Sequence, residues 1–286
     1  MRNAITAHWQ MQMTAVTSIV HRDDTRVHAS SQAQFRREKI RGADGTVRQV
    51  PVVSGNAWRG VLRRLGEEML APVLDYDGHL SAAAAHLLRN GGALHKTNTP
   101  LTPPQQRDLK RLVPLLSLFG GVANGQVMSG CLTVSKVLPV CAEIAHLMPG
   151  IDAARKLPAI TTLLGEESYS HFGDHAEGIV TDDAATAEQL NPLLRYDIET
   201  VIAGTQLTGT LRLTNGSELE YAFLQSLVDQ FSIDGHLGGR VAVGHGRIAL
   251  DHIEHVVHRG TPAEIDWIAE VGAHRDEARA ALAAIR

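Results

Sequence analysis

The chain has 286 residues, 44% hydrophobic and 20% charged, enough to bury a sizeable core in one large domain or one domain with insertions. No apolar run approaches the roughly 20 residues of a membrane helix, and the opening MRNAITAHWQMQM has no apolar stretch like that of a secretory signal. The two cysteines, Cys131 and Cys141, make neither a disulfide framework nor a paired metal knuckle, so a reducing cytoplasm is the expected home. The formal net charge of −4 argues at first against a nucleic-acid binder, but its distribution reverses that. Residues 36–64 hold Arg36, Arg37, Lys39, Arg41, Arg48, Arg59, Arg63 and Arg64 against Glu38 and Asp44, a net +6 that leaves −10 on the rest. A basic patch on an acidic body suits a polyanion held in one groove, or is a solvated basic surface.

In chain order, residues 5–21 alternate well enough for a first strand. Residues 22–50 read as a basic insertion in which GADGT, 42–46, turns a hairpin between 35–40 and 47–53. Ser54 then caps a helix whose Trp58, Val61, Leu62, Leu65 and Met69 form one apolar stripe. Residues 66–113 look helical and peripheral, and a proline-threonine stretch interrupts them. A glycine-bearing loop at 120–125 leads to a strand over 130–140, and 150–196 is a long excursion with little regular core. Residues 204–214 alternate as a strand, and Ser217 with Glu220 forms a capping box for a helix facing Leu219, Phe223, Leu227 and Phe231 inward. A glycine-rich loop precedes a closing strand over 247–256, and Thr261, Pro262 and Glu264 open a final helix within 261–286. Strand, helix, excursion, two strands, helix, strand is the rhythm of a ferredoxin-like α+β sheet with insertions.

On the first helix Asn56, Arg59 and Arg63 fall at i, i+3 and i+7, a polar face opposite Trp58. Phosphate oxygens could meet the amides beside Ser54, Gly55 and Asn56, with the two guanidinium groups continuing along the backbone. A helix with ordinary surface arginines is the plainer alternative. The stretch HLGGRVAVGHGRIAL, with Gly238, Gly239, Arg240 and His245, is neither a dinucleotide fingerprint, because a strand follows it, nor a P-loop. It reads as a tight turn or as a phosphate nest. His252, His255 and His258 are spaced by three, which scatters ligands over both faces of a strand, and no metal site or cofactor is expected.

VPVVSGNAWRGVLRRL, residues 50–65, resembles the Pro-x-x-x-Gly-Asn/Ser-x-x-Arg/Lys-Gly motif of the RAMP superfamily of CRISPR-associated proteins. LSLFGGVANGQVMSGCLTVSKVLPV and GTQLTGTLRL with FLQSLVDQFSIDGHLGGRVAVGHGRIAL continue the likeness in order, over most of 5–256. The combination is most similar to the repeated backbone subunit of type IV systems. The resemblance implies an RRM-like ferredoxin fold whose copies stack into a filament along a guide RNA, leaving bases free to pair with target DNA or RNA. It implies RNA contacts from Ser54, Gly55, Asn56, Trp58, Arg59 and Arg63, and from Gly238, Gly239, Arg240 and His245. Arg36, Arg37 and Lys39 of the basic hairpin, and Asn124 and Gln126 of the second motif, complete the expected set. Residues 150–196 take the place of a hairpin thumb in this family, and other effector subunits are the expected partners. With aromatics at 4%, paired aromatics on a strand are not expected, so base stacking on the sheet is not either.

A non-catalytic scaffold is the expected role. Type III relatives cut target RNA with an aspartate after the first strand, about where Asp23 and Asp24 stand, and a RAMP endoribonuclease using His21 or His28 as general base is a further alternative. HRD at 21–23 lacks the partner motifs of a kinase.

Overall fold

The structure, a computed structural model, describes residues 4–23, 32–93, 99–148, 150–151, 156–171 and 194–286. Strand β1 (Ile5–Ala15) alternates as its sequence predicts: Ala7, Trp9, Met11, Met13 and Ala15 are buried, while His8, Gln10, Gln12 and Thr14 are half-buried on the other face. After the short β2 (Gln32–Ala33), β3 (Arg37–Arg41) and β4 (Val47–Pro51) form the basic hairpin about the GADGT turn, with Gly45 at φ 78°.

Helix α1 (Gly55–Leu74) begins where the cap predicts, the Ser54 Oγ accepting the Ala57 N–H at 3.2 Å. It is followed by α2 (Ala82–Asn90), α3 (Pro103–Leu112) and α4 (Pro114–Phe119). The hairpin β5 (Gly121–Ala123) and β6 (Gln126–Met128) turns through Asn124 and Gly125, both at positive φ, as a two-residue turn between twisted strands requires. The strand expected over 130–140 is split into β7 (Leu132–Val134) and β8 (Leu138–Pro139), both paired with the same later strand. The excursion at 150–196 contains more regular structure than the sequence suggests: β9 (Leu164–His171) and β10 (Leu194–Val201) pair along their whole length as one antiparallel stem.

Strand β11 (Gln206–Gly216), helix α5 (Glu218–Asp234) and strand β12 (Ile248–Arg259) complete the core, and the Ser217–Glu220 capping box is formed. The final helix does not start at Thr261: Asp266 caps α6 (Trp267–Ala273), and α7 (Arg275–Ala283) follows. The Asp266 carboxylate accepts two amide hydrogens, from Ile268 and Ala269, which a threonine hydroxyl five residues earlier cannot reach.

The main sheet is antiparallel with order β12–β1–β11–β7, β8 extending the last position beside β11. Two helical connections create this order, α1 lying on the way from β1 to β7 and α5 joining β11 to β12. Both helices cover the face that carries Trp9, Met11 and Met13, and Trp58 meets Phe231 at 6.0 Å between ring centroids. Each such fully buried side chain contributes roughly 1.5–3 kcal/mol. Gly209 is required here: a Cβ would stand 2.7 Å from the Trp58 ring. Among the described residues no helix is long and apolar enough to cross a membrane.

Candidate nucleic-acid interface

The polar face expected of α1 is not a solvent face. Arg63 is 5% exposed. Its Nε donates to the Leu88 carbonyl at 2.7 Å, and its two terminal nitrogens donate to the Leu87 carbonyl at 2.5 Å and the Gly120 carbonyl at 3.0 Å. Arg59 donates to the Leu132 carbonyl at 2.8 Å and the Phe119 carbonyl at 2.6 Å, with its guanidinium 5.1 Å from the Phe119 ring centre. Arg63 contacts carbonyls at the C-terminal ends of α2 and α4, and Arg59 contacts the last carbonyl of α4 and the Leu132 carbonyl of β7. Burial lowers both guanidinium pKa values, that of Arg63 to about 10, with the Arg59 charge adding to the effect. The expectation that these two groups line a phosphate chain is corrected: they bind the helical layer together.

Three other expected contacts also turn inward. Trp58 has no exposed surface and belongs to the core. Asn124 is 4% exposed, donating to the Ala284 carbonyl and accepting the Arg286 N–H, so it anchors the end of the chain. His245 is buried in a side-chain network. By contrast Asn56, Gln126 and Lys39 are exposed, and Ser54 is committed to its cap. Gly55 lets α1 start against β7, since a Cβ would lie 2.8 Å from the Val134 carbonyl oxygen. Arg37 of β3 is paired with Glu199 of β10.

What the fold does assemble is a seam of three segments distant in sequence. The loop after β1 bridges to the glycine loop through Val20 and Gly239 and to the β9–β10 stem through Ile19 and Val201. Arg22 bridges to Phe35, and the Arg36 N–H donates to the His21 carbonyl at 2.7 Å. The Val16 and Thr17 amides both donate to the Arg247 carbonyl. The backbones of Arg22, Arg36, Arg240 and Arg247 thus lie along one seam; Arg22, Arg240 and Arg247 are exposed, and among the described residues none of the four is held by an acidic side chain. Cations without acidic partners are the kind of group a polyanion site draws on.

Across this seam runs a side-chain network that the sequence does not announce. Ser18 Oγ lies 2.9 Å from His245 Nδ1, the other nitrogen of that ring contacts the Tyr169 hydroxyl, and that hydroxyl lies 3.1 Å from Glu167 Oε2. One assignment satisfies every group: Ser18 donates to Nδ1, Nε2–H donates to Tyr169, and Tyr169 donates to Glu167. Tyr169 of β9 and Tyr196 of β10 stack at 5.6 Å with an interplanar angle of 19°. The Arg240 guanidinium lies 4.9 and 5.0 Å from the two ring centres and donates to the Tyr196 hydroxyl at 2.9 Å. The expectation of no paired aromatics on strands is therefore corrected. Residue spacing hides the pair, because the two tyrosines are brought opposite only by the register of the stem.

His21 Nε2 accepts the Ser54 N–H at 3.2 Å, which commits that nitrogen to the entry of α1. Asp23 borders a small cavity of about 120 Å³ shared with Gln34, Phe35, Arg37 and Gln49. Asp24 and His28 lie outside the described residues. On β12, His255 stacks on Trp9 at 4.7 Å while His258 stacks on His8 at 4.7 Å; no cluster of three or more metal-ligating side chains occurs among the described residues. Burial, reinforced by Glu220 and Glu143 respectively, pushes the Cys131 and Cys141 thiols up to about 12; Cys141 is fully buried and Cys131 half-buried.

No protein-family model matches the chain, and no curated protein does. Among solved structures, a chain of a "Type IV-B CRISPR Complex" is 37% identical, with 92% of this chain and 98% of that one covered and a TM-score of 0.61. A chain of a type III-B Cmr-beta complex bound to cognate target RNA aligns at 9% identity and TM-score 0.47, over 88% of this chain and 61% of that one. Identity of 37% across nearly the whole of both chains, joined to the three motifs in their order, shows the family: the chain belongs to the RAMP-like subunits of type IV CRISPR complexes.

Proposed function

We propose that this chain is the guide-RNA-binding backbone subunit of a type IV-like CRISPR effector ribonucleoprotein, and that it grips the sugar-phosphate chain along the Arg22–Arg36–Arg240–Arg247 seam. The observation that carries the reading is that backbone pairing brings the segments bearing Arg22, Arg36, Arg240 and Arg247 alongside residues 16–22, with no acidic side chain pairing those four among the described residues. The ion pairs and carbonyl contacts that hold Arg37, Arg48, Arg59, Arg63, Arg89, Arg111 and Arg279 leave those side chains less free for a ligand. Taking β1, β7, β11 and β12 as first to fourth, the core order is 4-1-3-2, which supports a ferredoxin-like, RRM-like palm. The β9–β10 stem is the candidate for the thumb that reaches toward the next copy. Binding by backbone charge leaves bases free, so that target DNA or RNA is read by pairing while further copies and other effector subunits extend the assembly. The role is that of a scaffold, without catalysis.

The test uses the full chain and a fluorescein-labelled 30-nucleotide oligouridine RNA, with R22E/R36E/R247E as the variant. Parent protein should bind with an affinity that falls steeply with salt, and the triple variant, folded by circular dichroism, should lose binding. Equal affinity of variant and parent removes the seam from the reading.

A further inference from the structure

Arg240 has a backbone conformation that an L-residue seldom adopts, φ 59° and ψ 32°, in a loop otherwise rich in glycine. Glycine would occupy that position without strain, so what distinguishes the residue is its side chain. The side chain is exposed and, among the described residues, makes no ion pair, while it donates a hydrogen bond to the Tyr196 hydroxyl. It rests against both members of the Tyr169–Tyr196 stack, at 4.9 and 5.0 Å. Tyr169 is in turn fixed by His245, itself 5% exposed and anchored on Ser18. A guanidinium held through its π-face keeps edge N–H donors for a second ligand, and the planar fork matches two phosphate oxygens.

We infer that Tyr169 and Tyr196 are positioning residues that hold the Arg240 guanidinium in place to bind one phosphate of the nucleic-acid backbone. The inference rests on the RNA-binding reading above and deepens it. The tyrosines contribute through their rings and not by stacking on a base, because the arginine already occupies the space beside the pair. They also couple the hairpin stem to the glycine loop, so that a phosphate bound at Arg240 is bound by both elements.

The experiment measures binding of the same labelled oligouridine by the full chain across a salt series, for R240A, R240K, Y169A/Y196A and the triple combination, each checked by thermal unfolding. R240A should weaken binding about tenfold and make the salt slope shallower by roughly 0.7, the value of one phosphate contact on a single strand. R240K should recover the slope but not the full affinity, since an ammonium keeps the charge and loses the planar fork. Y169A/Y196A should weaken binding, and adding R240A to it should cost little more, because the three side chains act as one unit. Parental affinity and slope in R240A, or full additivity in the triple variant, overturns the inference. So does loss of quenching on Y169A/Y196A, measured with an oligouridine that carries one 2-aminopurine, at an unchanged slope, which would make the tyrosines a base-stacking surface. Failure of the parent chain to bind RNA strikes the functional reading instead, while binding that is lost in R22E/R36E/R247E and unaltered in R240A sinks this inference alone.

Discussion

The Arg63 guanidinium donates to the Leu88 carbonyl at 2.7 Å, closing the end of α2 with a charge carried by α1. With its further bonds to Leu87 and Gly120, this one side chain ties α1 to the ends of two other helices. Removing it takes a charged donor from three carbonyls around a side chain that is 5% exposed. Arg63→Ala should therefore cost about 3 kcal/mol or more in denaturant unfolding, with Arg63→Lys recovering little because an ammonium cannot span three acceptors. A loss under about 1 kcal/mol would return Arg63 to the surface.

Charge reversal at Arg59 and Arg63 together should unfold or aggregate the chain, since buried carboxylates would then face backbone carbonyls. Far-ultraviolet circular dichroism and size exclusion check this. A folded, monodisperse double variant that merely fails to bind RNA would restore the phosphate-binding helix face.

The two thiols make stability sensitive to alkali. Folded Cys131 and Cys141 stay protonated up to about 12, whereas an unfolded thiol ionises near 9. Below pH 9 both states hold the proton and stability is unaffected by either thiol. Between pH 9 and about 12 the unfolded chain releases protons that the folded chain retains, so stability falls as pH rises. Urea midpoints across that range should decline less in Cys131→Ala/Cys141→Ala than in the parent. At pH 8 a thiol reagent should reach Cys141, which is fully buried, only as fast as the chain opens.

The Ser217 Oγ accepts the Glu220 N–H at 3.3 Å, and the Glu220 carboxylate accepts the Ser217 N–H at 2.5 Å. Ser217→Ala should lower stability by about 1 kcal/mol. Glu220→Ala should cost more, because its carboxylate also accepts a bond from Ser117, a buried residue of α4. The order of the two thermal midpoints is the readout.

Asp23 bears on catalysis. Asp23→Ala in an assembled effector complex should leave turnover of target RNA at the parental level, whether that level is zero or supplied by another subunit. A drop with assembly intact would make Asp23 a cleavage residue.

Local signals in the sequence determined much of this protein. The period of two in β1, the Ser54 cap, the GADGT hairpin and the Ser217–Glu220 box each depend on residues within a few positions of one another, where propensity and hydrogen bonding act directly. The motifs placed the chain in its family in the same way. Only the tertiary structure decided which arginines are free. A helical wheel shows Arg59 and Arg63 opposite Trp58, but the carbonyls that claim Arg63 arrive from 24 to 57 residues away, and no spacing rule on α1 contains them. The Tyr169–Tyr196 stack likewise exists only through the register of a hairpin, and Arg240 reaches it only because the glycine loop pairs with the segment after β1. Charge belongs to the residue, but its availability depends on which polar groups the fold brings within about 3 Å of it.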